Sequence, residues 1–177
     1  MWYVIQVMSG REHHMADLCR MQDMQEEEEV FVPLYQRKKK IKGEWKMCEA
    51  VLFPGYVFFD TKDVRQLYYR LKKVSGLTKI LATGNEFTPL HETEIEFLKQ
   101  FGGSKHIVEM SVGYIEGDAC TVTSGPMQGF TGVIKKIDRH KKIAVLEVEF
   151  FGRNTEVTVG LEIISKTEEL GERKISC

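Results

Sequence analysis

The sequence predicts an α+β protein in two parts, an α/β sandwich followed by a small β-barrel of four or five strands. Three observations predict it. Up to about residue 103 of the 177, segments with helical spacing alternate with short strand-like runs. From about residue 116 the pattern becomes period-two alternation broken by brief polar turns, the mark of half-buried strands. Between them, 104–115 lacks periodicity and carries Ser, Lys, Gly and Glu, which reads as a linker. The expected division is 1–103, a linker over 104–115, a barrel over 116–167 and a frayed tail over 168–177.

Taken in order, Trp2 to Val7 is the first strand. Ser9-Gly10-Arg11-Glu12 fits a capping box, with the Ser9 hydroxyl accepting from the Glu12 N–H, and Met15, Leu18 and Cys19 continue a helix over about 10–24. The acidic run Glu26 to Glu29 reads as solvated. Val30-Phe31-Val32 is a strand that Pro33 ends or places at an edge. Tyr35 to Ile41 and Trp45 to Leu52 form a hairpin with a basic tip at Lys42-Gly43-Glu44. Phe53-Pro54-Gly55 is a turn feeding a buried strand through Phe59, with Phe53 expected to be exposed beside it. Val64, Leu67, Tyr68 and Leu71 mark a second helix stopped by Ser75-Gly76. Leu77 to Ala82 is a strand, and Ile95, Leu98 and Phe101 line a third helix ended by Gly102-Gly103. In the second part Cys120 and Val122, Thr131 to Asp138, Ile143 to Phe150 and Thr155 to Val159 are strands. A closed barrel is expected, because an open sheet of that size leaves unpaired edges.

Composition excludes several classes. The apolar fraction is 42% and the charged fraction 29%, which suits a folded chain, and no apolar run approaches the length of a membrane span. Nor does the N-terminus read as a signal peptide. Cys19, Cys48, Cys120 and Cys177 are scattered without a C-x-x-C pair, so reduced thiols and a cytoplasmic location are expected, with no metal and no cofactor. There is no phosphate loop, H-E-x-x-H or nucleophile elbow, so no enzyme is expected. His13 and His14 diverge at adjacent helix positions, and His91, His106 and His140 are isolated.

Three stretches in register resemble the NusG family of transcription elongation factors. They are Trp2-Tyr3-Val4-Ile5-Gln6 with Ser9-Gly10, then Leu52-Phe53-Pro54-Gly55-Tyr56-Val57-Phe58, then Gly117-Asp118, Gly125-Pro126, Phe130, Gly132-Val133-Ile134 and Phe151-Gly152-Arg153. The resemblance spans about residues 2–166. It implies an RNP-like α/β sandwich (the NGN domain) followed by a five-stranded SH3-like barrel (the KOW domain), acting as a monomer. It also implies that the first domain grips the clamp helices of RNA polymerase, through Tyr3, Phe53, Pro54, Tyr56 and Phe58. Aromatic side chains supply large desolvated contact at small entropic cost. Three departures from the family pattern stand in the barrel: Met127 after Gly125-Pro126, Lys135-Lys136, and Thr155-Glu156-Val157-Thr158. They point away from Rho and ribosomal protein S10 as partners and toward the specialised paralogues, most like the LoaP-type antiterminators. A general NusG whose barrel binds proteins, or a translation factor sharing the KOW module, are the alternatives. The alternation over 143–159 argues against a barrel that refolds into a helical hairpin, as in RfaH.

Two basic clusters carry the nucleic-acid expectation. Arg37, Lys38, Lys39, Lys40 and Lys42, with Lys46, surround the hairpin tip and suit non-template DNA or an acidic face of polymerase. Lys135, Lys136, Arg139, His140, Lys141 and Lys142 crowd one barrel hairpin, with Arg153 on a loop expected nearby. Across 135–142 five Lys or Arg oppose only Asp138, although the whole chain carries a formal charge of −1. Such a cluster can track phosphates while Arg or His stacks on unpaired bases, both of which a leader RNA hairpin offers.

Overall fold

The computed structural model describes residues 1–74, 79–80, 82–83 and 86–165. The expected helix stop at Ser75-Gly76, part of the strand at 77–82, and the tail at 168–177 lie outside the described residues. Two compact units are present: Met1–Pro33 with Val51–Lys99, and Leu34–Ala50 with the described residues from Gln100 on.

In the first unit, β1 (Trp2–Gln6) is followed by α1 (Glu12–Arg20) and β2 (Glu29–Phe31). Beyond β3 (Leu34–Ile41) and β4 (Glu44–Val51), it continues with β5 (Tyr56–Asp60), α2 (Val64–Leu71), β6 (Lys79–Ile80), β7 (Ala82–Thr83), β8 (Glu86–Phe87) and α3 (Glu92–Gly102). The main sheet runs β2-β5-β1-β6 and is antiparallel throughout. Its central strands are near-continuous apolar runs because both faces are covered: Trp2, Tyr3, Val4, Ile5, Val57, Phe58 and Phe59 are all buried. Met15, Ala16 and Cys19, at helical spacing, bury the inner stripe of α1.

The start of α1 differs from the expected capping box. Arg11 is the N-cap and its side chain makes no cap bond. The Glu12 carboxylate instead accepts from Gly10 N–H at 2.9 Å and from Gly55 N–H at 2.7 Å. It thereby clamps the Pro54-Gly55 turn to the helix start, where the dipole favours an anion. Burial opposes the charge on Glu12, yet these backbone N–H donors hold its carboxyl below the ordinary range. The acidic run is also not wholly solvated. Glu28 keeps only 5% of its side chain exposed and is gripped by Arg70 of α2 at 2.5 and 2.7 Å and by the Thr61 hydroxyl at 2.8 Å. Partners 33 and 42 residues away escape any local pattern.

The second unit holds two sheets. In one, β4-β3-β9, the hairpin strand β3 pairs in parallel with β9 (Ile107–Val108). In the other, β10 (Ser111–Glu116), β11 (Ala119–Ser124), β12 (Val133–Asp138), β13 (Ile143–Phe150) and β14 (Arg153–Ile163) take the order β11-β10-β14-β13-β12. The five strands are those of an SH3-like fold, curled into a half-barrel rather than a closed one: among the described residues no pairing joins β11 to β12. Residues 104–115, expected as linker, carry β9 and most of β10. Burial of alternate residues, Ala144 and Leu146 with Phe150, and Val157, Val159 and Leu161, forms the inner face. The register pairs Ala144 with Val159 and Leu146 with Val157, so these residues meet across the strands.

Candidate functional site

The aromatic set of the first unit is not one exposed patch. Residues directly opposite in an antiparallel pair share a face, and β1 and β5 pair Val4 with Phe58 and Tyr3 with Phe59. Tyr3 therefore lies on the face opposite to Phe58 and Tyr56. Phe53 is 3% exposed, against the expectation of exposure beside the turn. It packs on Phe58 at 5.7 Å between ring centroids, and Phe58 stacks on Phe31 at 5.6 Å, which meets Trp2 edge-on at 4.9 Å. The turn folds Phe53 back over the sheet, where it completes this aromatic row. Tyr3, Phe53 and Phe58 are core residues, and burial pushes the Tyr3 hydroxyl above its ordinary pKa. Of the five, Pro54 is exposed and Tyr56 half-buried.

The two basic clusters, far apart in sequence, come together in the second unit. The carboxylate of Glu162 on β14 pairs with Lys38 of β3 through one oxygen and with Lys142 of the β12–β13 turn at 2.5 Å through the other. Burial works against its ionisation, but hydrogen bonds from Lys142 and Lys38 prevail and hold the carboxyl below the ordinary range. Beside this pair β14 and β3 approach so closely that a Cβ on Gly160 would stand 2.2 Å from the Gln36 carbonyl oxygen. Lys142 also lies over the Trp45 ring, 4.5 Å from its centroid. The sequence signal for Trp45 is an aromatic embedded in a lysine-rich hairpin.

The rest of the basic residues divide by engagement. Lys39, Lys40, Lys42 and Lys46 are exposed around the hairpin tip, and Arg37 is half-buried. Lys135 pairs with Glu147 at 2.7 Å, which raises its pKa. Lys141 stands 3.9 Å from Asp138, whose carboxylate also accepts the Lys141 backbone N–H at 2.9 Å and so shapes the turn. Lys136, Arg139 and His140 face solvent. Arg153 does not join them. It opens β14 opposite Phe150, whereas Lys142 precedes Ile143 at the other end of β13. Eight residues of β13 separate the two by about 23 Å at strand rise. Tight reversal between β13 and β14 places the two turns at opposite ends, which loop spacing alone does not reveal.

Among the described residues no group of His, Cys, Asp and Glu is placed to hold a metal ion, and no helix is long and apolar enough to cross a membrane.

Comparison with known proteins bears on this arrangement. Residues 1–99 match the family model described as transcription termination factor NusG, and residues 116–149 match the KOW motif. The transcription termination/antitermination protein NusG of Campylobacter jejuni is 25% identical over 163 residues, covering 89% of this chain and 92% of that protein. The protein of the same name from Rickettsia bellii is 27% identical over 179 residues, covering 94% and 90%. Among solved structures, Thermotoga maritima NusG superposes with a TM-score of 0.59 at 23% identity, covering 90% of this chain and 92% of that one, a likeness of fold.

Proposed function

The chain belongs to the NusG family of transcription termination/antitermination factors, and we propose that within it this protein is an antiterminator recruited by RNA. Its first unit grips the clamp helices of RNA polymerase, and its KOW unit binds a structured leader RNA, as in the LoaP-type paralogues. One observation carries the reading: the β12–β13 hairpin lifts Lys136, Arg139 and His140 into solvent, while the neighbouring Lys135 and Lys142 are each engaged by a carboxylate. Solvated cations on a fixed hairpin suit phosphate contacts, while Arg and His planes suit stacking on looped-out bases. Pro54 and Tyr56 are the accessible members of the polymerase-facing set, and the row of Trp2, Phe31, Phe58 and Phe53 holds their turn in place. Lys39, Lys40 and Lys42 at the hairpin tip suit displaced non-template DNA.

No bond is made or broken in this role. A factor that binds the elongating conformation better than the paused one shifts polymerase toward elongation by its differential affinity. Operon choice follows from the RNA contact. The action is cytoplasmic, where transcription and its factors meet.

The test uses the full chain, titrated with hairpin and unstructured RNAs at low and physiological salt. Selective hairpin binding that survives physiological salt and falls on Lys136→Ala with Arg139→Ala supports a recruited antiterminator. Weak binding that ignores RNA structure and vanishes with salt assigns the KOW unit to a protein partner, such as Rho or a ribosomal protein. In the same preparations Tyr56→Ala is expected to lose co-purification with polymerase and keep its RNA affinity. Loss of both together makes Tyr56 a structural residue.

A further inference from the structure

Trp45 is 43% exposed on β4, an edge strand of the β4-β3-β9 sheet, with Met47 51% exposed two residues along. An apolar, open edge strand is a liability that proteins normally cover or blunt. Here the side chains around it are cationic. Lys42 and Gly43 form a two-residue loop with positive φ at both positions, 51° and 89°, the geometry of a tight hairpin turn. Such a loop sets Lys40 opposite Trp45 and Lys38 opposite Met47, so all four share one face. Lys142 reaches that face from the β12–β13 turn, where its own φ of 53° and the bond from Leu161 N–H to its carbonyl fix the backbone. Lys142 lies over the Trp45 ring and pairs with Glu162, so it joins the ring to β14. Lys136 stands two residues from Asp138 on β12. It pairs with Val145 as Asp138 pairs with Ile143, which places it on the same outer face of the sheet as Gly160, where β3 rests.

We propose that Trp45 is the base-stacking platform of a composite RNA site built jointly by the β3–β4 hairpin and the β12–β13 turn. The occupant is a single-stranded loop of RNA. One unpaired base lies on the indole, and the flanking phosphates run over Lys40 toward Lys136 and Arg139. Charge complementarity selects a polyanion: over 37–49 six Lys or Arg oppose Glu44 and Glu49 alone. The ring selects a nucleic acid over an acidic peptide, since every base presents a π-face to an aromatic side chain while a carboxylate gains nothing from the negative face of one. This inference rests on the reading that the KOW unit binds RNA, and adds the residue and element that would hold the unpaired base.

The experiment is a titration of the full chain with an RNA hairpin carrying a single-stranded uridine loop. Affinity and tryptophan emission are recorded for wild type, Trp45→Ala, Trp45→Phe and Lys136→Ala with Arg139→Ala. The chain has two tryptophans, and Trp2 is 5% exposed, so loop binding should quench chiefly Trp45. Trp45→Ala is expected to weaken binding roughly tenfold, within the range one stacked base supplies, and Trp45→Phe to restore most of it. Circular dichroism and melting identical to wild type exclude a folding defect in either variant. If the Lys136 and Arg139 variant loses binding while Trp45→Ala binds like wild type with unchanged emission, the stacking site is overturned and RNA binding stands. If the wild type binds no RNA, or binds a polyglutamate peptide in its place, both readings fall.

Discussion

Cys19 and Cys48 carry the same thiol into opposite surroundings. Cys19 is fully buried on the inner stripe of α1, and that burial pushes its pKa up to about 12. The thiolate is the nucleophile, so Cys19 has almost none to offer at neutral pH. Iodoacetamide followed by peptide mapping should modify Cys48, half-exposed on β4, and leave Cys19 untouched until the chain is unfolded in urea. Glu28 supplies a second residue-scale prediction. Burial opposes its charge, but bonds from Arg70, the Gln25 N–H and the Thr61 hydroxyl outweigh burial and depress its pKa. A carboxyl with a folded pKa below its unfolded one adds stability that is complete above the ordinary value of about 4.3. That stability drains away as pH falls through the depressed folded value. Glu28→Gln should therefore flatten the acid limb of a urea-midpoint profile below about pH 4.3. Arg70→Ala, which leaves the carboxylate only the Gln25 N–H and the Thr61 hydroxyl, should cost about 1.5–3 kcal/mol at neutral pH. The acid sensitivity was not legible in the sequence, because a Glu in a run of four looks solvated until its distant partner is known.

At the scale of elements, most of the order was legible, and the reasons differ where it was not. The period-two stretch from Ile143 to Val159 gave β13 and most of β14, since one face is buried and the other wet. Val64, Leu67 and Leu71 gave α2, with Asp63 capping it through the Arg65 and Gln66 N–H groups. By contrast β10 was hidden in apparent linker. Its Gly113 lies where a Cβ would come within 2.5 Å of the Thr121 carbonyl oxygen, so close pairing with β11 replaces the apolar alternation that announces a strand. The hairpin was legible as a hairpin, but not its partner. Gly160 decides that, for any side chain there collides with the Gln36 carbonyl of β3. Gly160→Ala should push β3 from β14 and loosen the Lys38–Glu162–Lys142 cluster. The expected signature is a changed Trp45 emission and a lower melting temperature, with far-UV circular dichroism intact. An unchanged Trp45 environment would show that the two elements part without consequence for the ring.

For the whole molecule, the family and its two-part plan were legible because three motifs stood in order along the chain, whereas the candidate surface was legible only as loose pieces. The resemblance implies a polymerase contact for Tyr3 and Phe53, and register and a turn leave both side chains buried in the chain alone. The proposed division of labour makes a quantitative demand on the intact chain. Once RNA holds the factor near a transcribing polymerase, the second contact is intramolecular and its effective concentration reaches about the millimolar range. Loss of the RNA grip therefore removes local concentration and leaves the polymerase grip itself unaltered. In a reconstituted terminator readthrough assay, Lys136→Ala with Arg139→Ala should shift the half-effective factor concentration upward by about 10²–10⁴-fold, the scale of avidity for linked contacts. Saturating that variant should restore full readthrough. Tyr56→Ala should lower the readthrough reached at accessible concentrations, and added RNA affinity should not compensate. If saturation fails to rescue the RNA-site variant, the KOW unit acts on polymerase directly, and recruitment is not its role.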